Sequence, residues 1–182
     1  MVYTCENLAF REGGCYTVRS VEPEDVPRML RYMKIMLGET PFLLREPDEF
    51  DYTEEEEARI LEARKSDPRS LMLVAEAGGE IIASADVRSH GAKSRVRHRA
   101  DLGISVRRDF WRQGVGSALM ERLLAFSVQA GFEQVELEVV AKNRRALNLY
   151  LKYGFTVYGT RPHGIKYADG SYADDYLMVL VL

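Results

Sequence analysis

Residues 102–119, LGISVRRDFWRQGVGSAL, pass from a strand pattern through a short loop into a helix. On the strand side, Ala100, Leu102, Ile104 and Val106 alternate with polar or small residues, the period-2 signature of an extended segment. On the helix side, Val115, Ala118, Leu119, Leu123, Leu124 and Phe126 recur along one apolar side, and Gly131 stops a helix predicted over residues 114–130. That helix opens with Gly114-Val115-Gly116-Ser117. First-turn N–H groups have no intrahelical acceptor, and glycines let a ligand approach the backbone. With the helix dipole they form an anion site suited to phosphate or pyrophosphate, and Arg107, Arg108 and Arg112 add positive charge.

The loop discriminates among phosphate ligands. It lacks the Gly-Lys-Ser/Thr ending of a Walker A loop. It meets the dinucleotide fingerprint only in part, because Leu119 stands where the third glycine belongs, although Glu136 and Glu138 follow about 20 residues on. Taken alone, the segment is equally a tight strand-to-helix turn with no ligand.

A second constellation lies about 30 residues downstream. The strand pattern Val135-Glu136-Leu137-Glu138-Val139 is followed by Asn143-x-x-Ala146-Leu147-x-Leu149-Tyr150-x-x-Tyr153-Gly154-Phe155. In this order the two segments resemble the Gcn5-related N-acetyltransferase (GNAT) superfamily, and the resemblance extends over residues 15–182. It implies acetyl-CoA as co-substrate, with Arg112, Gln113, Gly114, Val115, Gly116 and Ser117 gripping its pyrophosphate. It implies that Ile104, Ser105 and Val106 line the pantetheine arm through main-chain groups, and that Ile104 N–H meets the acetyl oxygen. Asn143 and Tyr150, seven apart and so on one helical face, line the same groove. Tyr150 matches the tyrosine that approaches the CoA sulfur. One departure stands out: Trp111 occupies the place usually held by Arg or Gln, where packing under the loop is its expected role.

The chemistry implied sets further requirements. An amine attacks a thioester only as the neutral base, yet a free alkylamine is mostly protonated near neutrality. A base must remove a proton, an N–H must meet the developing oxyanion, and an acid must help the thiolate leave. Asp101, on the strand where several family members carry an acid, is the first candidate base, and Glu39, in the loop after the first helix, is the second. His98, flanked by Arg97 and Arg99, reads as a solvated hairpin residue.

The totals agree with one enzyme domain. The chain has 182 residues, is 46% hydrophobic and 29% charged, and carries a formal net charge of -3. That acidity argues against nucleic acid or an anionic membrane as the main partner. Cys5 and Cys15 form neither a metal-ligand set nor a disulfide framework, and read as reduced thiols. The opening Met1-Val2-Tyr3-Thr4-Cys5-Glu6-Asn7 lacks signal-peptide features and no apolar run reaches membrane length, so a cytoplasmic protein is expected.

The remaining elements are short and closely connected. Residues 1–14 read as an N-terminal arm, and residues 15–182 as a single domain. Strands are predicted at 16–19, 71–75, 81–87, 100–106, 134–140, 155–158 and 176–180. A helix from Pro23 is expected to stop at Gly38, another to open at Thr53 with Glu56 completing a capping box, and a third to be capped by Asn143. Hairpins in front and strand–helix alternation behind predict an α/β fold (α+β mixed), with six or seven strands in a mixed sheet flanked by helices on both faces. The resemblance adds a splayed central strand pair and, since members are often dimers, a homodimer.

The acceptor pocket is expected from residues 38–52, from Asp86 and Arg88, and from residues 160–176, where Asp169-Gly170-x-Tyr172-x-Asp174 resembles tails of members acting on small amines and protein N-termini. Asp174 and Asp175 suit a cationic acceptor, Arg161 or Lys166 a carboxylate; a hairpin with solvated charges is the plain alternative. Three functions stay open at this stage: acetyl transfer to a small-molecule primary amine, acetyl transfer to a protein N-terminus, and a non-catalytic CoA-binding module.

Overall fold

The computed structural model describes Tyr3 and residues 5–182. The expectation of no signal peptide falls partly on Met1, Val2 and Thr4, outside the described residues. The elements are β1 (Glu6–Ala9), β2 (Cys15–Ser20), α1 (Val26–Glu39), α2 (Glu54–Ser66), β3 (Leu71–Ala77), β4 (Glu80–Ser89), β5 (Arg99–Val106), α3 (Val115–Gln129), β6 (Gln134–Val140), α4 (Arg144–Lys152), β7 (Thr156–Lys166) and β8 (Tyr172–Val181). The strands follow the order β1-β2-β3-β4-β5-β6-β8-β7. The sheet is mixed, with β5 and β6 parallel through Arg99↔Gln134, Ala100↔Val135 and Asp101↔Glu136. By chain contacts there are two compact units: residues up to Arg88 with Gly103–Phe126, and Ser89–Leu102 with Ser127–Leu182.

In the first unit, β3 buries Leu73, Val74 and Ala75 in succession, so both of its faces are covered. On one face, Val74 and Ile81 pack with Val26, Met29, Tyr32 and Met36 of α1 and Leu61 of α2. Each such side chain contributes about 1.5–3 kcal/mol when fully buried. Before α1, a 3-10 turn over Pro23–Asp25 aims the buried Asp25 carboxylate back at Glu22 N–H, 2.9 Å away. The predicted box on α2 is present: Thr53 Oγ1 accepts from Glu56 N–H at 3.2 Å, and Glu56 accepts from Thr53 N–H at 2.9 Å.

Two expectations need correction here. Glu6–Ala9, read as part of an arm, pairs antiparallel with β2 and gives an eighth strand. Four residues with alternate positions only half-buried carry too weak a hydrophobic period to be seen alone. Gly38 is not the helix stop, because α1 runs to Glu39. Its last turn is held by tertiary partners: Arg108 N–H donates to the Glu39 carboxylate at 2.7 Å, and the Arg108 guanidinium reaches the Glu39 carbonyl.

In the second unit, β8 pairs with β6 from Gln134↔Val181 to Val140↔Asp175, and with β7 on its other side. The two last strands are far longer than their apolar cores predicted. Residues 160–166 are largely exposed and carry Pro162, which an edge strand tolerates. A bulge between Arg161 and Ile165 absorbs His163, whose φ is +54°. The predicted turn at Asp169-Gly170 is present, with Gly170 at φ +83°. Asn143 caps α4 as expected, its Oδ1 accepting from Ala146 N–H at 3.2 Å.

Candidate active site

The first unit holds the loop that the sequence reading expects to bind a diphosphate. β5 ends at Val106, a short 3-10 turn covers Arg108–Phe110, and α3 begins at Val115. Arg112 and Gly114 both have positive φ, +65° and +94°. A Cβ on Gly114 would meet nothing closer than Arg11 at 3.9 Å, so the backbone angle, rather than crowding, requires glycine. Left-handed residues within a turn can aim neighbouring N–H groups into an anion-binding concavity. The first bond of the helix is Ala118 N–H to Gly114 C=O at 3.0 Å, so the N–H groups of Val115, Gly116 and Ser117 precede the helical ladder. The residues present therefore fit a diphosphate. Gln113 also ties the loop to a distant turn: its carbonyl accepts Arg11 N–H at 3.3 Å and its side-chain oxygen accepts Glu12 N–H at 3.2 Å.

Upstream of the loop, Trp111 Nε1 donates to Val106 C=O at 2.7 Å, tying the turn to the strand end as a packing residue would. Ser105 is engaged by Tyr32, whose hydroxyl lies 2.9 Å from Ser105 C=O and 2.7 Å from Ser105 Oγ. Ile104 lies between Ser105 and Gly103 on β5. A Cβ on Gly103 would stand 3.0 Å from Asp86 Oδ1, so any larger residue there would crowd that carboxylate. Asp86 also ion-pairs with Arg88 at 2.9 Å. Glu39 shares this unit and, as described, serves Arg108.

The second unit holds Asp101, Asn143 and Tyr150. Asp101 Oδ1 lies 3.1 Å from His90 Nε2, and the Asp101 side chain is 44% exposed, open to an acceptor or a water. Tyr150 is buried, with its ring tilted against Phe155 at 5.8 Å. Burial pushes its phenol far above the ordinary value, so it stays protonated through any working pH. The α4 C-terminus closes on the same residue, Tyr150 C=O accepting from Tyr153 N–H at 3.0 Å and Phe155 N–H at 3.1 Å. Arg161, a candidate carboxylate binder, is held by Glu138 through two 2.6 Å bonds and lies 3.7 Å from Asp175. Burial raises the Asp175 carboxyl against the opposing pull of Arg161. Asp174 Oδ1 accepts from His163 N–H at 2.9 Å.

The sequence reading missed three residues here. His90 and Tyr32 lie on elements whose mutual placement no local pattern gives. Arg11 belongs to the turn before β2 that braces the loop leading into α3.

A sequence profile of the Acetyltransferase (GNAT) family matches residues 37–155, about two thirds of the chain. The chain belongs to the GNAT acetyltransferase family. As a GNAT enzyme it is an N-acetyltransferase that uses acetyl-CoA. The L-amino acid N-acetyltransferase AaaT of Escherichia coli (strain K12) is 35% identical over 119 residues, spanning 63% of this chain and 70% of that protein. A GNAT-family acetyltransferase from Streptococcus pneumoniae superposes with a TM-score of 0.87 at 28% identity, over 92% of this chain and 99% of the other. The yncA protein of Salmonella typhimurium, solved with acetyl-CoA, shares the fold with a TM-score of 0.80 at 20% identity, over 92% of this chain and 94% of its own. Among the described residues, no helix is long and apolar enough to cross a membrane.

Proposed function

We propose that this GNAT enzyme acetylates the amine of an L-amino acid or a closely related small molecule by direct transfer from acetyl-CoA. The observation that carries the reading is the 35% identity to an L-amino acid N-acetyltransferase. On this reading residues 15–182, joined by β1, work as one catalytic domain.

The placements support the following roles. Arg112, Gln113, Gly114, Val115, Gly116 and Ser117 bind the diphosphate, chiefly through main-chain N–H groups, with Gln113 bracing the loop. Ile104 and Val106 supply N–H groups to the thioester carbonyl and the pantetheine amide, and Asn143 orients the start of α4. Bound acetyl-CoA supplies the activated acyl group. Asp101, oriented by His90, takes one proton from the acceptor ammonium. The freed nitrogen lone pair forms the C–N bond as the C–S bond breaks. Tyr150 gives its proton to the departing sulfur and regains one from solvent, while the Asp101 proton and the second N–H proton pass to water, so one proton is released overall. Glu39 is the weaker candidate for the base, since its carboxylate is spent on Arg108 N–H.

A thiol-release assay with a panel of L-amino acids, polyamines and short peptides tests the reading. Turnover with free amino acids well above that with peptides is expected. A preference for peptide N-termini would reassign the acceptor, and binding without turnover on any amine would leave a CoA-binding module.

A further inference from the structure

Tyr32 is the largest fully buried side chain of the first unit, 1% exposed within an apolar cluster. Phenylalanine would fill that space equally well, so the hydroxyl needs its own account. It lies 2.9 Å from Ser105 C=O, 2.7 Å from Ser105 Oγ and 3.2 Å from Ser84 N–H. Burial pushes this phenol far above its ordinary value, so it remains a donor as well as an acceptor.

The bonded atoms belong to one rung of the sheet. Arg107 N–H donates to Ile82 C=O at 2.9 Å, and Ser105 Oγ approaches Ser84 C=O at 3.5 Å. Moving two residues up β4 from Ile82 and two down β5 from Arg107 therefore brings Ser84 opposite Ser105 in an antiparallel pair. In such a pair, a residue turning its N–H and C=O toward its partner is flanked by residues turning theirs the other way. Ile104 and Val106 consequently direct their N–H groups away from β4. Of the two carbonyls, that of Val106 is taken by Trp111. The hydroxyl thus pins the β5 backbone at the residue between the two amides assigned to the thioester.

We propose that Tyr32 is a positioning residue for acetyl transfer, its hydroxyl fixing where the Ile104 and Val106 N–H groups meet the thioester carbonyl and the pantetheine amide. The inference rests on the acetyltransferase reading above. An oxyanion donor works only when it is preorganised at the place where charge develops. Without the hydroxyl the rung at Ser84 and Ser105 relaxes, and the two amides shift with it.

The test uses the full chain, with Tyr32→Phe compared to Met29→Ala, which perturbs the same cluster without touching the rung. Amide hydrogen exchange is followed at residues 104–106 and 115–117 with and without acetyl-CoA, beside steady-state kinetics per folded molecule. In the unaltered chain acetyl-CoA protects both segments. In Tyr32→Phe, protection should persist at 115–117 and be lost at 104–106. Its kcat should fall about 10-fold or more, short of the roughly 100- to 1,000-fold loss on deleting such a donor, with the acceptor KM unchanged. Met29→Ala should lower the melting temperature and keep protection and kcat. Wild-type protection at 104–106 and wild-type kcat in Tyr32→Phe would overturn the inference, whatever its stability, as would a matching loss in Met29→Ala. If acetyl-CoA protects neither segment of the unaltered chain, the acetyltransferase reading fails first and takes the inference with it.

Discussion

Gln113 accepts from two successive residues of one turn: its carbonyl accepts Arg11 N–H at 3.3 Å, and its side chain accepts the next N–H, that of Glu12, at 3.2 Å. Phe10 adds a ring contact to Phe110 at 5.7 Å. The turn before β2 is therefore a brace for the loop proposed to receive the diphosphate.

Gln113→Ala should weaken acetyl-CoA binding a few-fold while leaving kcat nearly unchanged. One exposed hydrogen bond contributes only about 0.5–1.5 kcal/mol, and the loop keeps its main-chain bond to Arg11. Calorimetric titration of the variant reads the affinity. An unaltered dissociation constant would show that the brace does not shape the loop.

Tyr150→Phe should lower kcat by about 100-fold, the scale of a lost general acid, with acetyl-CoA affinity little changed. Because burial raises the Tyr150 phenol, its ionisation gives no alkaline fall in kcat through the range where the enzyme is stable. A pH–rate profile on the unaltered chain checks the second point. A variant with wild-type turnover would remove Tyr150 from the chemistry.

Glu39→Gln should keep most activity. The amide oxygen still accepts Arg108 N–H, which is the carboxylate's task in the structure, whereas a base cannot be replaced by an amide. Asp101→Asn should lose turnover by about 100-fold or more. Measured side by side, the two variants decide between the candidate bases, and the reverse pattern would make Glu39 the base.

Asp25 governs acid stability. Burial alone would raise its carboxyl, but Arg19, Glu22 N–H and Arg28 hold it below the ordinary value. Arg19 reaches it through bonds of 2.6 and 2.9 Å and also binds Glu76 at 2.7 Å. A depressed carboxyl stabilises the fold above the unfolded value and loses that contribution as pH falls below about 4. Asp25→Asn should cost about 1.5–3 kcal/mol near neutrality, because Arg19 and Arg28 lose their charge-assisted bonds to Asp25 and are left sharing the Glu76 carboxylate. It should also flatten the acid limb of a stability–pH curve from denaturant titrations. A variant with the same acid limb as the unaltered chain would contradict this.

What the sequence made legible was local. Asn143 capping α4 and Thr53 with Glu56 opening α2 depend on neighbours within a few residues and are found as read, and α3 opens one residue after the Gly114 predicted to start it. What escaped depends on distant partners. β1 exists through β2, because Glu6–Ala9 has no hydrophobic face of its own. Gly38 stays helical because Arg108 satisfies the last turn of α1. The Tyr32 hydroxyl acquires its meaning from Ser84 and Ser105, 52 and 73 residues away. His90 meets Asp101 only through a hairpin whose register the intervening basic loop hides.

The central claim is that main-chain N–H groups at the start of α3 hold the coenzyme diphosphate. Calorimetric titration of acetyl-CoA into the unaltered chain and into Gly116→Leu tests it most directly. A side chain in the first helical turn blocks close approach of the diphosphate without altering the Arg112–Gly114 turn. The account predicts saturable heat for the unaltered chain and an affinity at least about 100-fold weaker for the variant, or roughly 2.7 kcal/mol. Equal affinities, with both proteins folded, would contradict it.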